Sequence, residues 1–226
     1  MNILITSAGG TLIPLLTKFI KEDEQLKISN IIGIDQKKKI KKNKYLHKFY
    51  QIKINNNYSF LEKIKIICIK EKIKLIIPYS DNEAKILAKN KKIFLNKGIK
   101  ILVNNLNILN KINNKYLTYS TLQKKKIRVP KFKLIKNFSD LKKNLTFFNY
   151  PSNGVVIKPT EGIGGRGVII LPNKNKKYDS ALLGKRGKII KNLTTNKTNK
   201  SIFKYGDVLM MDLLKSPAYD VDCYKI

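Results

Sequence analysis

Four short and nearly continuous apolar runs in the first hundred residues constrain the fold most: Asn2–Thr6 (NILIT), Asn30–Asp35 (NIIGID), Lys74–Pro78 (KLIIP) and Ile99–Val103. Each has the length of a strand, and isoleucine and leucine fill successive rather than alternate positions, the signature of a strand buried on both faces. Helical segments separate the runs. Ser7-Ala8-Gly9-Gly10 stops the first, after which Leu12–Ile20 sets Leu12, Leu15, Leu16, Phe19 and Ile20 on one helical face; Phe60–Lys72 and Asp81–Leu95 follow as further helices. Strands joined by helices imply a parallel sheet covered on both sides. The expectation is an α/β fold whose first domain, residues 1–110, is a Rossmann-like parallel sheet.

The asparagine-rich stretch Asn104–Asn114 reads as the connection to a second domain, residues 111–226. A helix is expected from Lys115 to about Lys126, closed by Val129-Pro130, then a strand over Phe132–Ile135, a helix from Ser139 and strands over Val155–Lys158 and Val168–Leu171. Asn173–Lys177 and Lys191–Lys200 read as polar loops around a helix over Ser180–Asn192, with strands at Asp207–Leu214 and Tyr219–Tyr224. This half is α+β in pattern.

With 47 Lys+Arg against 15 Asp+Glu, the chain carries a formal charge of +32. Only Arg128, Arg166 and Arg186 of those basic residues are arginine, whereas nucleic-acid readers favour the planar, bidentate guanidinium. Lysine, asparagine and isoleucine rising together is the composition of an A+T-rich coding sequence. Specific nucleic-acid binding is therefore not expected, although nonspecific attraction to RNA follows from the charge. Two cysteines, Cys68 and Cys223, sit in apolar segments, which suits a reducing compartment, and no apolar run is long enough to span a bilayer. A cytoplasmic protein is expected.

The segment richest in chemistry is Gly154–Ile170, GVVIKPTEGIGGRGVII. A strand ends in Lys158-Pro159, a loop containing Gly162, Gly164, Gly165, Arg166 and Gly167 follows, and a second strand starts at once. Glycines let backbone N–H groups approach an anion closely, and Lys158 and Arg166 supply charge, so the hairpin tip can lie over a phosphate. It is not a Walker A loop, which needs Gly-Lys-Ser/Thr opening a helix. A plain flexible hairpin is the bland reading of the same residues.

A strand ending in Lys-Pro before a Gly-Gly-x-Gly loop resembles the ATP-grasp superfamily. Asn114-Lys115 with the following YLTYSTLQKKKIRVPKF is similar to that family's Asp-Lys helix, turn and next strand, with Asn114 standing in place of Asp. Asp207–Asp222 (DVLMMDLLKSPAYDVD) resembles its adenine-bearing hinge, with Ala218 where a ribose-binding Glu is usual. TSAGG, IIGID and LIIPYSDNE point to the carbamoyl-phosphate synthase large-subunit-like group and its pre-ATP-grasp domain.

The resemblance implies an incomplete ATP-grasp domain behind the Rossmann-like one. In it Lys115 and Lys158 hold ATP phosphates, residues 162–167 form the closing loop, Asp212 takes the adenine amino group, and backbone groups of Leu213 and Leu214 contact the ring. It further implies a ligase that phosphorylates a small carboxylate and lets an amine displace the phosphate; an oligomer is compatible with it. The family's Mg²⁺ ligands come from strands that would follow Ile226, so this chain alone is expected to be inactive, and no catalytic residue is assigned. A non-catalytic nucleotide-binding or interaction module is the alternative, with NAD binding and RNA association behind it. For NAD, Asp35 follows Gly9-Gly10 at the distance of a ribose acid, but the spaced glycines are lacking. Asp81 and Glu83 read first as acids in a helix's first turn, and His47 has no partner near it in sequence for a metal or a triad.

Overall fold

The computed structural model describes residues 1–38, 40–53, 55–162, 165–174, 188–190 and 202–214. The chain divides into two compact units, Met1–Asn110 and Lys111–Ile226.

In the first unit the apolar runs become β1 (Asn2–Ile5), β2 (Ile31–Asp35), β4 (Ile73–Ile77) and β5 (Lys100–Ile101), joined by a strand the sequence did not announce, β3 (Lys48–Gln51). All pair in parallel in the order β3-β2-β1-β4-β5. The core follows from strand alternation: Leu4, Ile32, Ile34 and Ile76 pack under α2 (Asn57–Lys70) through Phe60, Ile64 and Ile67, while Ile3, Ile5 and Ile31 face α1 (Ile13–Glu22). α1 packs through Ile13, Leu16, Thr17 and Ile20, and this corrects the expected face: Leu12, Leu15 and Phe19 are exposed. Pro14 in the first helical turn starts the helix after Leu12 and fixes this rotation. Asn56 and Ser59 form a capping box that starts α2 earlier than the apolar pattern suggests.

The single helix expected over Asp81–Leu95 is two, α3 (Asp81–Lys89) and α4 (Lys91–Leu95). They part at Asn90, whose side chain donates to the carbonyl of Ile86 (2.8 Å) and competes with the helical ladder. The asparagine-rich connection contains α5 (Leu106–Asn113), whose Leu109 is buried.

The second unit opens with α6 (Lys115–Lys124) and carries a sheet of order β6-β10-β7-β8-β9: β6 (Phe132–Ile135), β7 (Val155–Pro159), β8 (Ile169–Leu171), β9 (Lys188–Ile189) and β10 (Val208–Asp212). Only the β8–β9 pair is parallel. One face, with Ile135, Val155, Ile157, Ile169, Leu171, Val208 and Met210, packs on Leu141 of α7 (Phe138–Asn144), Phe148 and Ile202. Lys188 and Ile189 pair with β8, so the helix expected over Ser180–Asn192 is corrected there to a strand. The remainder of that helix and the strand expected at Tyr219–Tyr224 lie outside the described residues.

Candidate functional site

The glycine loop grows out of β7, and its first residues are tied to the start of α6. Asn114 caps α6 by accepting from the N–H of Leu117 (3.0 Å), and the N–H of Lys115 donates to the carbonyl of Thr160 (2.8 Å). Thr160 is itself pinned, its N–H donating to the carbonyl of Asp207 (3.1 Å). The Lys115 ammonium donates to the carbonyl of Gly162 (3.1 Å), and the Asn114 amide reaches Glu161 (3.5 Å). A helix start and a loop start are thus locked together around two lysines.

Lys158 stands on the sheet face opposite the core. Its register partner is Leu209, whereas Ile157 and its partner Met210 belong to the core face. Its ammonium lies 3.4 Å from the hydroxyl of Tyr119 and 5.4 Å from that ring's centroid. Tyr119 packs edge-on against Phe132 (5.5 Å between centroids), and its hydroxyl reaches the sulfur of Met211 (3.9 Å). Lys115 and Tyr119 are four residues apart on α6 and therefore share a face. That spacing was the available signal for Tyr119, which sequence reasoning passed over.

Electrostatics mark the pair. Burial holds the Lys158 ammonium below its ordinary range. Lys115 is lowered first by burial and then by the charge of Lys158, with Glu161 opposing. Burial raises the Tyr119 phenol. Two half-buried cations, one of them further depressed by the other's charge, are relieved by an anion set between them.

In the loop, Gly162, Gly165 and Gly167 have φ of +147°, +73° and +75°, and the N–H of Val168 closes on the carbonyl of Gly165 (3.3 Å). Gly164 lies outside the described residues, as do Ala218, Arg186 and Cys223. The hinge residues are placed less simply. Asp212 pairs with Val155, which turns its side chain toward the core face, away from Lys158; there Oδ2 accepts from the N–H of Lys131 (3.2 Å). The N–H of Leu213 is taken by the carbonyl of Gly154 (3.1 Å), and Leu214 is exposed.

The other sequence candidates are engaged structurally. Asp35 accepts from the N–H of Gly9 (2.7 Å) through one oxygen and of Lys37 (2.8 Å) through the other. Glu83 is buried beneath the β1 and β4 ends, accepting from the hydroxyls of Thr6 (2.6 Å), Ser7 (2.8 Å) and Ser80 (2.9 Å), while Asp81 is exposed. His47 is exposed, its N–H donating to the carbonyl of Ile31 (2.9 Å). Among the described residues, no three of His, Cys, Asp and Glu gather as a metal site, and no helix is long and apolar enough to cross a membrane.

A family profile described as the PylC-like, N-terminal domain matches residues 3–102. No curated protein matches the sequence significantly. Among solved structures, the chain is similar to the biotin carboxylase domain of the Hydrogenobacter thermophilus 2-oxoglutarate carboxylase in complex with MgADP, ADP and bicarbonate (18% identity, TM-score 0.62, 93% of this chain and 43% of that one). It is likewise similar to N5-carboxyaminoimidazole synthetase from Staphylococcus aureus complexed with ADP (16%, TM-score 0.61, 94% and 47%). The L-amino acid ligase from Bacillus licheniformis is a further relative in fold (12%, TM-score 0.59, 93% and 43%). The chain spans less than half the length of each of these proteins. Its fold, a Rossmann-like parallel sheet followed by a second, mixed sheet, matches the amino-terminal domain and part of the ATP-grasp domain of such ligases.

Proposed function

We propose that the chain supplies the ATP-binding portion of an ATP-dependent ligase of the carboxylate-amine type, soluble in the cytoplasm and acting on small molecules. The observation that carries this is the convergence of Lys115 and Lys158, two half-buried lysines of lowered pKa, at the root of a glycine loop. Lys115 and Lys158 hold the phosphates, and Tyr119 fixes the Lys158 ammonium against the sheet. The loop 162–167 folds over them and excludes water. Adenine lies against the hinge Asp212–Leu214, where the carbonyl of Leu213 and the backbone of Leu214 contact the ring and the bond between Asp212 and Lys131 steadies the strand. The distance suits a nucleotide: three strand positions separate Leu209, the partner of Lys158, from Asp212 along β10, roughly 10 Å at the rise of a strand.

Mg²⁺, when bound, would supply charge neutralisation for phosphoryl transfer. Among the described residues no three of His, Cys, Asp and Glu gather as a set of ligands for it. Within such ligases the motifs of the first unit favour a carbamoyl-phosphate synthase large-subunit-like or PylC-like member, with that unit as the pre-ATP-grasp domain.

Replacing Lys158 with Ala tests the reading, with ATP affinity measured by calorimetry on the longest natural form of the protein. Loss of a charged hydrogen bond to phosphate should weaken binding about tenfold or more. An unchanged affinity sinks the assignment.

A further inference from the structure

Behind the glycine loop, on the other side of the sheet from Lys158, lies a cavity of about 510 Å³ lined by Arg166, Gly167, Val168, Ile169, Lys188, Lys204 and Tyr205. Its side of the sheet follows from register. Ile169 pairs with Ile157 and with Lys188, and Ile157 and Ile169 are core-face residues, so Lys188 projects on that face. Lys158, one residue beyond Ile157, projects from the opposite one. The cavity is therefore not the cleft assigned to ATP.

Three features make it a site rather than a gap. The volume is that of a small-molecule pocket, within the usual range of roughly 300 to 1,000 Å³. Arg166, Lys188 and Lys204 bring three positive charges to one concavity, and none of them has a carboxylate partner among the described residues. The Tyr205 ring lies beside the loop: Gly167 has φ +75°, and a Cβ there would stand 2.8 Å from Pro159 and 3.2 Å from that ring, so glycine brings the backbone close to both. The chain's overall positive charge puts lysines on every surface. Here, however, the cations surround a recess with the apolar residues Val168 and Ile169 in its lining, which open surface does not provide.

We infer that this cavity is a second binding site, for a small phosphate-bearing molecule. Guanidinium and ammonium groups together fit the oxygens of a phosphate, the guanidinium as a two-pronged donor, and the Tyr205 ring and Ile169 accommodate the remainder of the ligand. Because Arg166 and Gly167 belong to the glycine loop, an occupant of the rear cavity holds that loop from behind.

The test is a ¹⁵N NMR titration of the 226-residue chain with inorganic pyrophosphate at physiological salt, without Mg²⁺ or nucleotide. Saturable shifts are expected at the amides of Gly167, Val168, Ile169 and Lys188. In the double variant Lys188→Glu, Lys204→Glu these shifts should require about tenfold or more pyrophosphate, the loss expected for charged hydrogen bonds. Shifts at Lys115 report the front cleft, and Lys158→Ala should weaken those alone, so failure of the ATP reading and failure of this one are separable. Since the wild-type titration needs no variant to fold, it decides by itself: non-saturating shifts spread over lysine-rich surface overturn the site. Rear shifts unchanged by the double variant overturn it also, and tighter binding of an oligouridylate than of pyrophosphate at those amides overturns the small-molecule class in favour of RNA.

Discussion

At Lys158 and Lys115 burial destabilises an ammonium, and on the proposed reading a phosphate relieves it. Their pKa values lie below the ordinary 10.5, so each releases its proton earlier than a free lysine as the pH rises. A bound triphosphate restores the charged form. Between the lowered values and 10.5, nucleotide binding should take up protons, and affinity should fall as pH climbs through that window; calorimetry in alkaline buffers of different ionisation enthalpy reads the uptake directly. Zero uptake at every pH would mean the phosphates do not meet these lysines. Gly167 carries a second prediction. Gly167→Ala combines an unfavourable left-handed φ with a Cβ only 2.8 Å from Pro159, and should cost about 1 to 3 kcal/mol of stability. Gly98→Ala, at φ +68° but in open space, should cost about 1 kcal/mol, so the two melting temperatures separate strain from collision. Of this site, the two lysines and the glycines were legible in sequence because their chemistry is local. The orientation of Asp212 was not, because it depends on which residue of β7 lies opposite, and register is a tertiary fact.

Among the elements, β1, β2 and β4 were legible because near-continuous isoleucine and leucine mark the central strands of a covered sheet, although Lys74 of β4 is exposed. β3 was not: KFYQ follows a basic stretch and holds two partly buried aromatics, and it becomes a strand because β2 offers an unpaired edge. α5 was hidden by composition, its leucines and isoleucines spaced among asparagines that read as a loop. The turns after β1 and β4 are joined by Glu83, which gathers hydroxyls from Thr6, Ser7 and Ser80. Glu83→Ala leaves those donors facing a void and should cost about 2 to 3 kcal/mol, whereas Glu83→Gln keeps an acceptor and should cost less. Urea midpoints of the two variants check this; equal losses would mean that the carboxylate's charge, not its acceptor oxygens, holds the turns.

For the molecule as a whole, each unit encloses a hydrophobic core of its own, and the first has one on each side of its sheet. Residues 1–110 should therefore fold when expressed alone, with a cooperative urea transition and a dispersed NMR spectrum. A spectrum without dispersion would show that the second unit is needed to complete the first. Charge on this scale was fully legible in the sequence. The sheet margins give it a different meaning. The four outermost strands, β3, β5, β6 and β9, each carry a lysine: Lys48, Lys100, Lys133 and Lys188. An outermost strand presents unpaired N–H and C=O groups that another chain can add to, and an ammonium at that position must be stripped of water before the newcomer can dock. Among the described strands a lysine thus guards each outermost position against edge-to-edge pairing with another copy of the chain.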